Sequence, residues 1–212
     1  KKKKKQKVWI STAQVADKIL LLARTTPLEE VKKPTEGLSL FYTDLDRTFV
    51  TVREIEKMGR KCVDSNELFI DGLPIPAEDL IGEEGQGFRQ ILHGLNPERV
   101  LIAAEAVGIG RNALRRAADY ANERVVFGRP IGQNQGVQHP LAACWAELEA
   151  ANLMAMNAGA LYDAGKPCGN EANAGKYLAG EAAVKATQTA QLTFGGFGYA
   201  KEYHVERLVR EA

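Results

Sequence analysis

Cysteine and histidine are scarce in this 212-residue sequence, with three of each. Cys62, Cys144 and Cys168 are widely spaced and form no C-x-x-C, which points away from a disulfide framework and from a zinc site; a reducing compartment is the default. His93, His139 and His204 are scattered, and no pair has metal-ligand spacing. Excess charge is missing as well. Lys+Arg number 28 against 27 Asp+Glu, a net +1, and without Lys1 to Lys5 the balance falls to −4. A mildly acidic body argues against a broad nucleic-acid surface. Apolar runs such as Ile19 to Ala23 are far shorter than the roughly 20 residues of a membrane-spanning helix. The opening lysines are not followed by an apolar stretch of signal-peptide length, and this homopolymeric start is left out of the fold argument. There is no G-x-G-x-x-G after a strand, no G-x-S-x-G elbow, no P-loop and no repeat of fixed period.

What is present is ordinary for a soluble protein: 45% hydrophobic and 26% charged residues, enough for one large domain or two small ones. Alanine divides the chain, with four in residues 1–80 and 24 in residues 101–200. Because alanine is the best helix former, the second half reads as helical. The first half reads as short strands: Val8-Trp9-Ile10, Ile19 to Leu22 (a continuous run suited to a strand buried on both faces), Leu38 to Tyr42, Phe49 to Val52 and Leu68 to Ile70. The stretch from Thr25 to Gly37 reads as a loop and Asp71-Gly72 as a turn. A small β-barrel or sandwich domain over 6–84 is expected, followed by an antiparallel four-helix bundle over 85–212, an α+β multi-domain arrangement. The first helix is predicted to start at Asn96-Pro97-Glu98, with Asn96 as N-cap, and to bury Leu101, Ala104, Val107, Leu114, Ala118 and Ala121. The second spans Gln138 to Asp163 with Leu141, Trp145, Leu148 and Ala155 inward. The third runs from Glu171 to Leu192, and a fourth starts near Tyr203.

Several short stretches together resemble one family. Val8-Trp9-Ile10-Ser11 and Ile19 to Arg24 look like the start of the middle domain of acyl-CoA dehydrogenases. Met58 to Ser65 resembles M-G-x-R-x-S-x-T. Pro76, Leu80-Ile81-Gly82 and Gly85-Gln86-Gly87-Phe88 fit V-P-x-x-x-x-L-G-x-x-G-x-G-F. Arg124 to Ile131, with Gln135 after it, fits R-x-x-F-G-x-x-I, and Gly195-Gly196-Phe197-Gly198-Tyr199 with Arg207 fits a late G-G-x-G-Y. The resemblance runs over residues 7–212 in the family's order. It implies the middle domain and most of the C-terminal helical domain, without the N-terminal helical domain or the extreme C-terminus.

The resemblance implies FAD, an acyl-CoA thioester substrate and α,β-dehydrogenation to the trans-2-enoyl-CoA. A carboxylate takes the α-proton and the β-hydrogen leaves as hydride to flavin N5. An electron-transferring flavoprotein as acceptor, a homodimer or homotetramer, and a bacterial cytoplasmic or mitochondrial-matrix location are implied with it. Many relatives carry the base as glutamate in a Y-E-G-T-like segment near the C-terminus, whereas this sequence ends at Glu211-Ala212. A minority carry it in an x-x-E-R motif that Asn96-Pro97-Glu98-Arg99 matches, which makes Glu98 the candidate base, with a C-terminal glutamate as its main competitor; as a first-turn acid Glu98 would instead only complement a helix dipole. Asn96 and Arg99 match positions near the acyl-CoA, against plain readings as an N-cap and a surface partner. Trp9 and Ser11 match residues against the isoalloxazine, against readings as a core Trp and an ordinary strand Ser. Arg124 matches the arginine that holds the FAD pyrophosphate across the subunit interface, Phe127 and Gln135 further contacts to the same FAD, and Gly195 and Gly196 a close backbone approach to its adenosine part. Departures are Lys61 for arginine, Val63 for a small polar residue, and Leu192 where a glutamine is usual, with Gln191 one place early. The same fold also serves acyl-CoA oxidases and flavin monooxygenases, or a catalytically silent relative acting as an assembly or binding partner.

Overall fold

The computed structural model describes residues 5–212. They fall into two compact units divided between Gly94 and Leu95.

The first unit holds six strands in two antiparallel three-stranded sheets. One sheet has the order β1 (Lys5–Ser11), β5 (Ser65–Ile70), β4 (Val50–Glu54); the other has β2 (Lys18–Arg24), β3 (Leu38–Asp44), β6 (Leu80–Ile81). The barrel alternative is thereby corrected: among the described residues β1 and β2 remain sheet edges, and no ladder closes the sheets on each other. Side chains alternate across a strand, so Ile19 and Leu21 of β2 and Leu68 and Ile70 of β5 face one core, joined by Val50, Leu45 and Ala13. The same alternation corrects the reading of Ile19 to Leu22 as buried on both faces, since Leu20 is exposed.

The second unit is mainly helical; the division at Gly94 falls inside its first helix, so residues 87–94 belong to the first unit. The first helix, α1, spans Gly87–Glu123 and begins nine residues before the expected N-cap, so Asn96 caps nothing and Pro97 lies inside the helix. Its start is fixed by close approach to β3: a Cβ on Gly87 would sit 2.5 Å from Leu40 N and Ser39 C. Pro97 has no N–H for the carbonyl four residues back, so one helical bond is forfeited there. A two-strand hairpin, β7 (Val125–Val126) and β8 (Arg129–Pro130), leads into α2 (Gln135–Asp163). A short turn leads to α3 (Gly169–Thr193), and a 3-10 turn over Gly195–Tyr199 leads to α4 (Val205–Glu211).

The core clusters give the directions of the helices. Ala103 and Val107 of α1 meet Ala151 and Ala155 of α2 and Ala179 of α3. Further on, Leu114 meets Cys144, Leu148, Ala182 and Ala186, and Ala113 and Ala117 meet Ala190 and Phe194. As α1 advances, α2 counts down and α3 counts up, which makes α2 antiparallel to both neighbours. From Ala103 on, α1 buries Ala103, Val107, Gly110, Leu114, Ala117 and Ala121, alternating four and three apart as in a helix packing on helices, with Ala113 buried beside Leu114. Leu101, Ala104 and Ala118, expected inside, are exposed, and Trp145 of α2 is 59% exposed. Alanine and glycine line this core because the helices approach closely: a Cβ on Gly110 would meet Leu148 Cδ2 at 2.7 Å.

Candidate functional site

Trp9 and Ser11 lie on β1 in the first unit. The pairing of β1 with β5 slips between Lys7 and Ile10, a β-bulge that opens at Trp9. Trp9 takes φ +62° and is 65% exposed, so it is not a core Trp. A large side chain in the left-handed region is strained, and bulges re-aim side chains next to functional sites. The end of the bulge is fastened by Asn66, which is fully buried: its amide donates to Ile10 O at 3.0 Å and to the Asp64 carboxylate, and it accepts from Gln14 Nε2 at 2.7 Å. The bond from Asn66, followed by that from the Gln14 backbone N–H, holds the Asp64 carboxyl below its ordinary range. Ser11 is exposed and pairs across to Ser65.

Asn96, Glu98 and Arg99 lie on α1. Glu98 is exposed and well inside the helix, eleven residues from its start, so it does not complement a helix N-terminus. Arg99 Nη1 donates to Asn96 Oδ1 at 3.0 Å, a bond within the turn that carries Glu98.

Arg124, Gly195 and Gly196 come together on one cavity of about 460 Å³, whose wall is completed by Tyr120, Val126, Ile131, Leu192, Thr193, Phe194 and Phe197. Gly195 has φ +59°, and a Cβ on either glycine would meet nothing within 4 Å, so the chain's own packing leaves space in front of this backbone. Gly198 is the opposite case: its Cβ would lie 2.2 Å from Gln191 O, and Gln191 Nε2 donates to Gly198 O at 3.2 Å. The early glutamine therefore fastens the turn to α3.

Phe127 and Gln135 follow on the same side of the sequence but do not line the cavity. Phe127 and Gly128 form the two-residue loop of the β7–β8 hairpin with φ +53° and +76°. Positive φ at both central residues is the type I′ pattern, which favours Asn or Gly over an aromatic. Phe127 is nonetheless fully exposed at that tip. Gln135 is the exposed first residue of α2, after Asn134, whose side chain accepts from Arg129 Nη2 at 2.6 Å and donates to Ile131 O at 3.0 Å.

The cavity offers a cation, an accessible glycine backbone and an aromatic wall. That donor set suits a phosphate-bearing aromatic cofactor such as FAD: the guanidinium meets diphosphate oxygens and the glycines admit close approach. Two participants escaped the sequence reading. Asn66 shares the inward face of β5 with Leu68 and Ile70, and a polar residue on a core stripe is a usable signal. Phe197 sits in the G-G-F-G-Y stretch, where only the glycines drew notice.

Residues 85–212 match the family model described as acyl-CoA dehydrogenase, C-terminal domain. An acyl-CoA dehydrogenase of Bacillus subtilis (strain 168) is 40% identical over 207 residues, covering 97% of this chain and 54% of its own length. The structure of butyryl-CoA dehydrogenase from Megasphaera elsdenii superposes with a TM-score of 0.91 at 32% identity, over 97% of this chain and 53% of that one. A chain from the structure of the electron transferring flavoprotein of Acidaminococcus fermentans gives a TM-score of 0.91 at 31% identity, over 97% and 53%. The chain spans about half the length of the curated relatives it matches. With sheet unit, helical unit and these likenesses in agreement, the chain belongs to the acyl-CoA dehydrogenase family.

Proposed function

We infer that the full-length protein is an FAD-dependent dehydrogenase that converts an acyl-CoA thioester to the trans-2-enoyl-CoA, with Glu98 as the base. The observation that carries this reading is the convergence of Arg124, Gly195 and Gly196 on one cavity. Arg124 would hold the FAD diphosphate across a subunit interface, with Gly195 and Gly196 against the adenosine part and Phe127 and Gln135 as further contacts to the same FAD; Trp9 and Ser11 would lie against an isoalloxazine. When bound, the flavin supplies the hydride acceptor.

The chain's residues have the remaining work. A thioester α-proton is too weakly acidic for an unaided carboxylate, so the enolate-like charge on the carbonyl oxygen must be stabilised and water excluded. Glu98 stands exposed in this chain, and burial beside an acyl chain raises a carboxyl toward the range a base needs. The Arg99–Asn96 bond orders the turn that presents Glu98 and leaves further Arg99 donors for substrate. A fatty or branched acyl chain, reoxidation by an electron-transferring flavoprotein and assembly as a homodimer or homotetramer complete the reading.

The test is anaerobic mixing of the full-length protein with a panel of acyl-CoAs, wild type beside Glu98→Gln, following flavin bleaching. Wild type bleaches, and Glu98→Gln binds FAD but bleaches at least about a hundredfold more slowly, the scale of general-base catalysis. Equal bleaching would move the base to a glutamate elsewhere. No bleaching of wild type by any acyl-CoA would overturn the assigned reaction.

A further inference from the structure

We propose that Phe197 is a positioning residue whose ring holds the Arg124 guanidinium as an unpaired fork aimed at a diphosphate. The proposal rests on the reading of Arg124 as the FAD diphosphate contact.

Arg124 follows the last residue of α1, and its backbone is committed on both sides: its N–H donates to Tyr120 O at 2.8 Å and its carbonyl accepts from Ile131 N at 2.9 Å. The side chain is exposed, and among the described residues no carboxylate or carbonyl pairs with the guanidinium. Its partner is the face of Phe197, with Cζ 5.9 Å from the ring centroid. An acid in that place would neutralise the charge and occupy the donors. An aromatic face attracts the cation through its quadrupole and leaves the N–H edge of the fork free. That is the arrangement a bidentate anion requires.

The ring is itself braced. Phe197 lies 5.3 Å from Tyr203; Tyr203 meets Phe194 edge-on at 5.5 Å and Tyr120 at 6.2 Å; Tyr120 stacks on Phe194 at 4.2 Å. Behind the ring the backbone is fixed by Ala200 N donating to Phe197 O at 3.1 Å, and the next residue, Gly198, accepts no side chain. The α1 terminus that carries Arg124 and the turn that carries Phe197 are thus joined by one aromatic cluster. The cation is placed before any ligand arrives, and less side-chain freedom is lost on binding.

The experiment uses full-length protein stripped of flavin and titrates ADP and adenosine by calorimetry into wild type, Arg124→Ala, Phe197→Leu and Phe197→Trp. Phe197→Leu is expected to weaken ADP binding about three- to tenfold, the scale of a cation–π contact, while leaving adenosine affinity within about twofold. Phe197→Trp, with a stronger ring face, is expected to keep ADP affinity at or above wild type. This variant also covers the case in which Phe197→Leu fails to fold. Equal losses for ADP and adenosine in Phe197→Leu would make the ring a nucleoside wall and overturn the proposal. So would full ADP affinity in Phe197→Leu alongside a large loss in Arg124→Ala. Unchanged ADP binding in Arg124→Ala would instead remove the diphosphate reading on which the proposal stands.

Discussion

Asn66→Ala tests what holds the Trp9 bulge. Asn66 makes three polar contacts: it donates to Ile10 O and to the Asp64 carboxylate and accepts from Gln14 Nε2. Gln14 is exposed and Asp64 half-buried, so water replaces much of what those two lose. Ile10 O loses its side-chain donor, at about 1–2 kcal/mol, while water replaces the bond to the solvent-accessible Asp64 carboxylate. The void left by a fully buried amide adds a little more. The sum is about 1.5–2.5 kcal/mol for the sheet unit. With an m-value of about 1.5 kcal/mol/M, the urea midpoint falls by about 1–2 M.

The assay is urea unfolding followed by Trp9 fluorescence, in a background where Trp145→Phe removes the second tryptophan. A midpoint shift below about 0.3 M would refute the reasoning, because it would mean that the buried amide is not what fastens β1 to β5. Asn66→Asp adds a sign test. The introduced carboxyl is buried beside Asp64, so its pKa is raised in the folded state and its charge is penalised at neutral pH. The variant is therefore least stable at pH 7 and recovers as the pH falls through that raised value, where a protonated carboxyl donates again. A variant that weakens steadily on acidification would show that charge is not the problem.

Gly196→Ala and Gly198→Ala separate ligand space from fold. The first places its Cβ in open space and is expected to leave thermal stability within about 0.5 kcal/mol while weakening FAD binding; the second meets Gln191 O at 2.2 Å and is expected to cost at least about 2 kcal/mol of stability. Calorimetric melts beside FAD titrations distinguish them, and a stable Gly198→Ala would contradict the packing. For acid stability, the depressed Asp64 pKa means that its contribution is complete above the unfolded value of about 4 and lost as pH falls through the lower folded value. Urea midpoints at pH 5 and pH 2.5 should drop less in Asp64→Ala than in wild type, and an equal drop would remove Asp64 from the acid limb.

Much of the fold was legible because it rests on local signals. Short apolar, β-branched and aromatic runs marked the strands, and alanine content marked the helices. What misled was size. In α1 the residues that face the core are largely small, Ala103, Gly110, Ala113 and Ala117 among them, while Leu101 faces out. A stripe drawn through large apolar side chains therefore rotates away from the true one, and Trp145 was misplaced for the same reason. Helix–helix distance sets which size fits, and distance is not written locally. Asn96-Pro97-Glu98 carries every mark of a helix start, yet α1 already runs from Gly87, anchored by a glycine against β3 that no window around Asn96 contains. Of the site, the glycine pair and Arg124 could be read from their motifs. The bulge at Trp9 could not, because it exists only in the pairing of β1 with a strand more than fifty residues away.

Trp9 and Phe127 share a combination that packing alone does not explain. Each is aromatic, each has φ above +50°, and each is exposed, Phe127 completely. The left-handed region costs a non-glycine residue about 1 kcal/mol or more, and water contact forgoes the 1.5–3 kcal/mol or so that a buried aromatic gains. Either alone is common in turns, but together they are unfavourable twice over with no return inside either unit. For Phe127 the test of mere structure is direct: asparagine suits the type I′ position better. Phe127→Asn should raise the melting temperature of the chain while lowering the FAD affinity of the full-length protein. A variant that is more stable and binds FAD as well as wild type would leave the exposed ring without a purpose in this site.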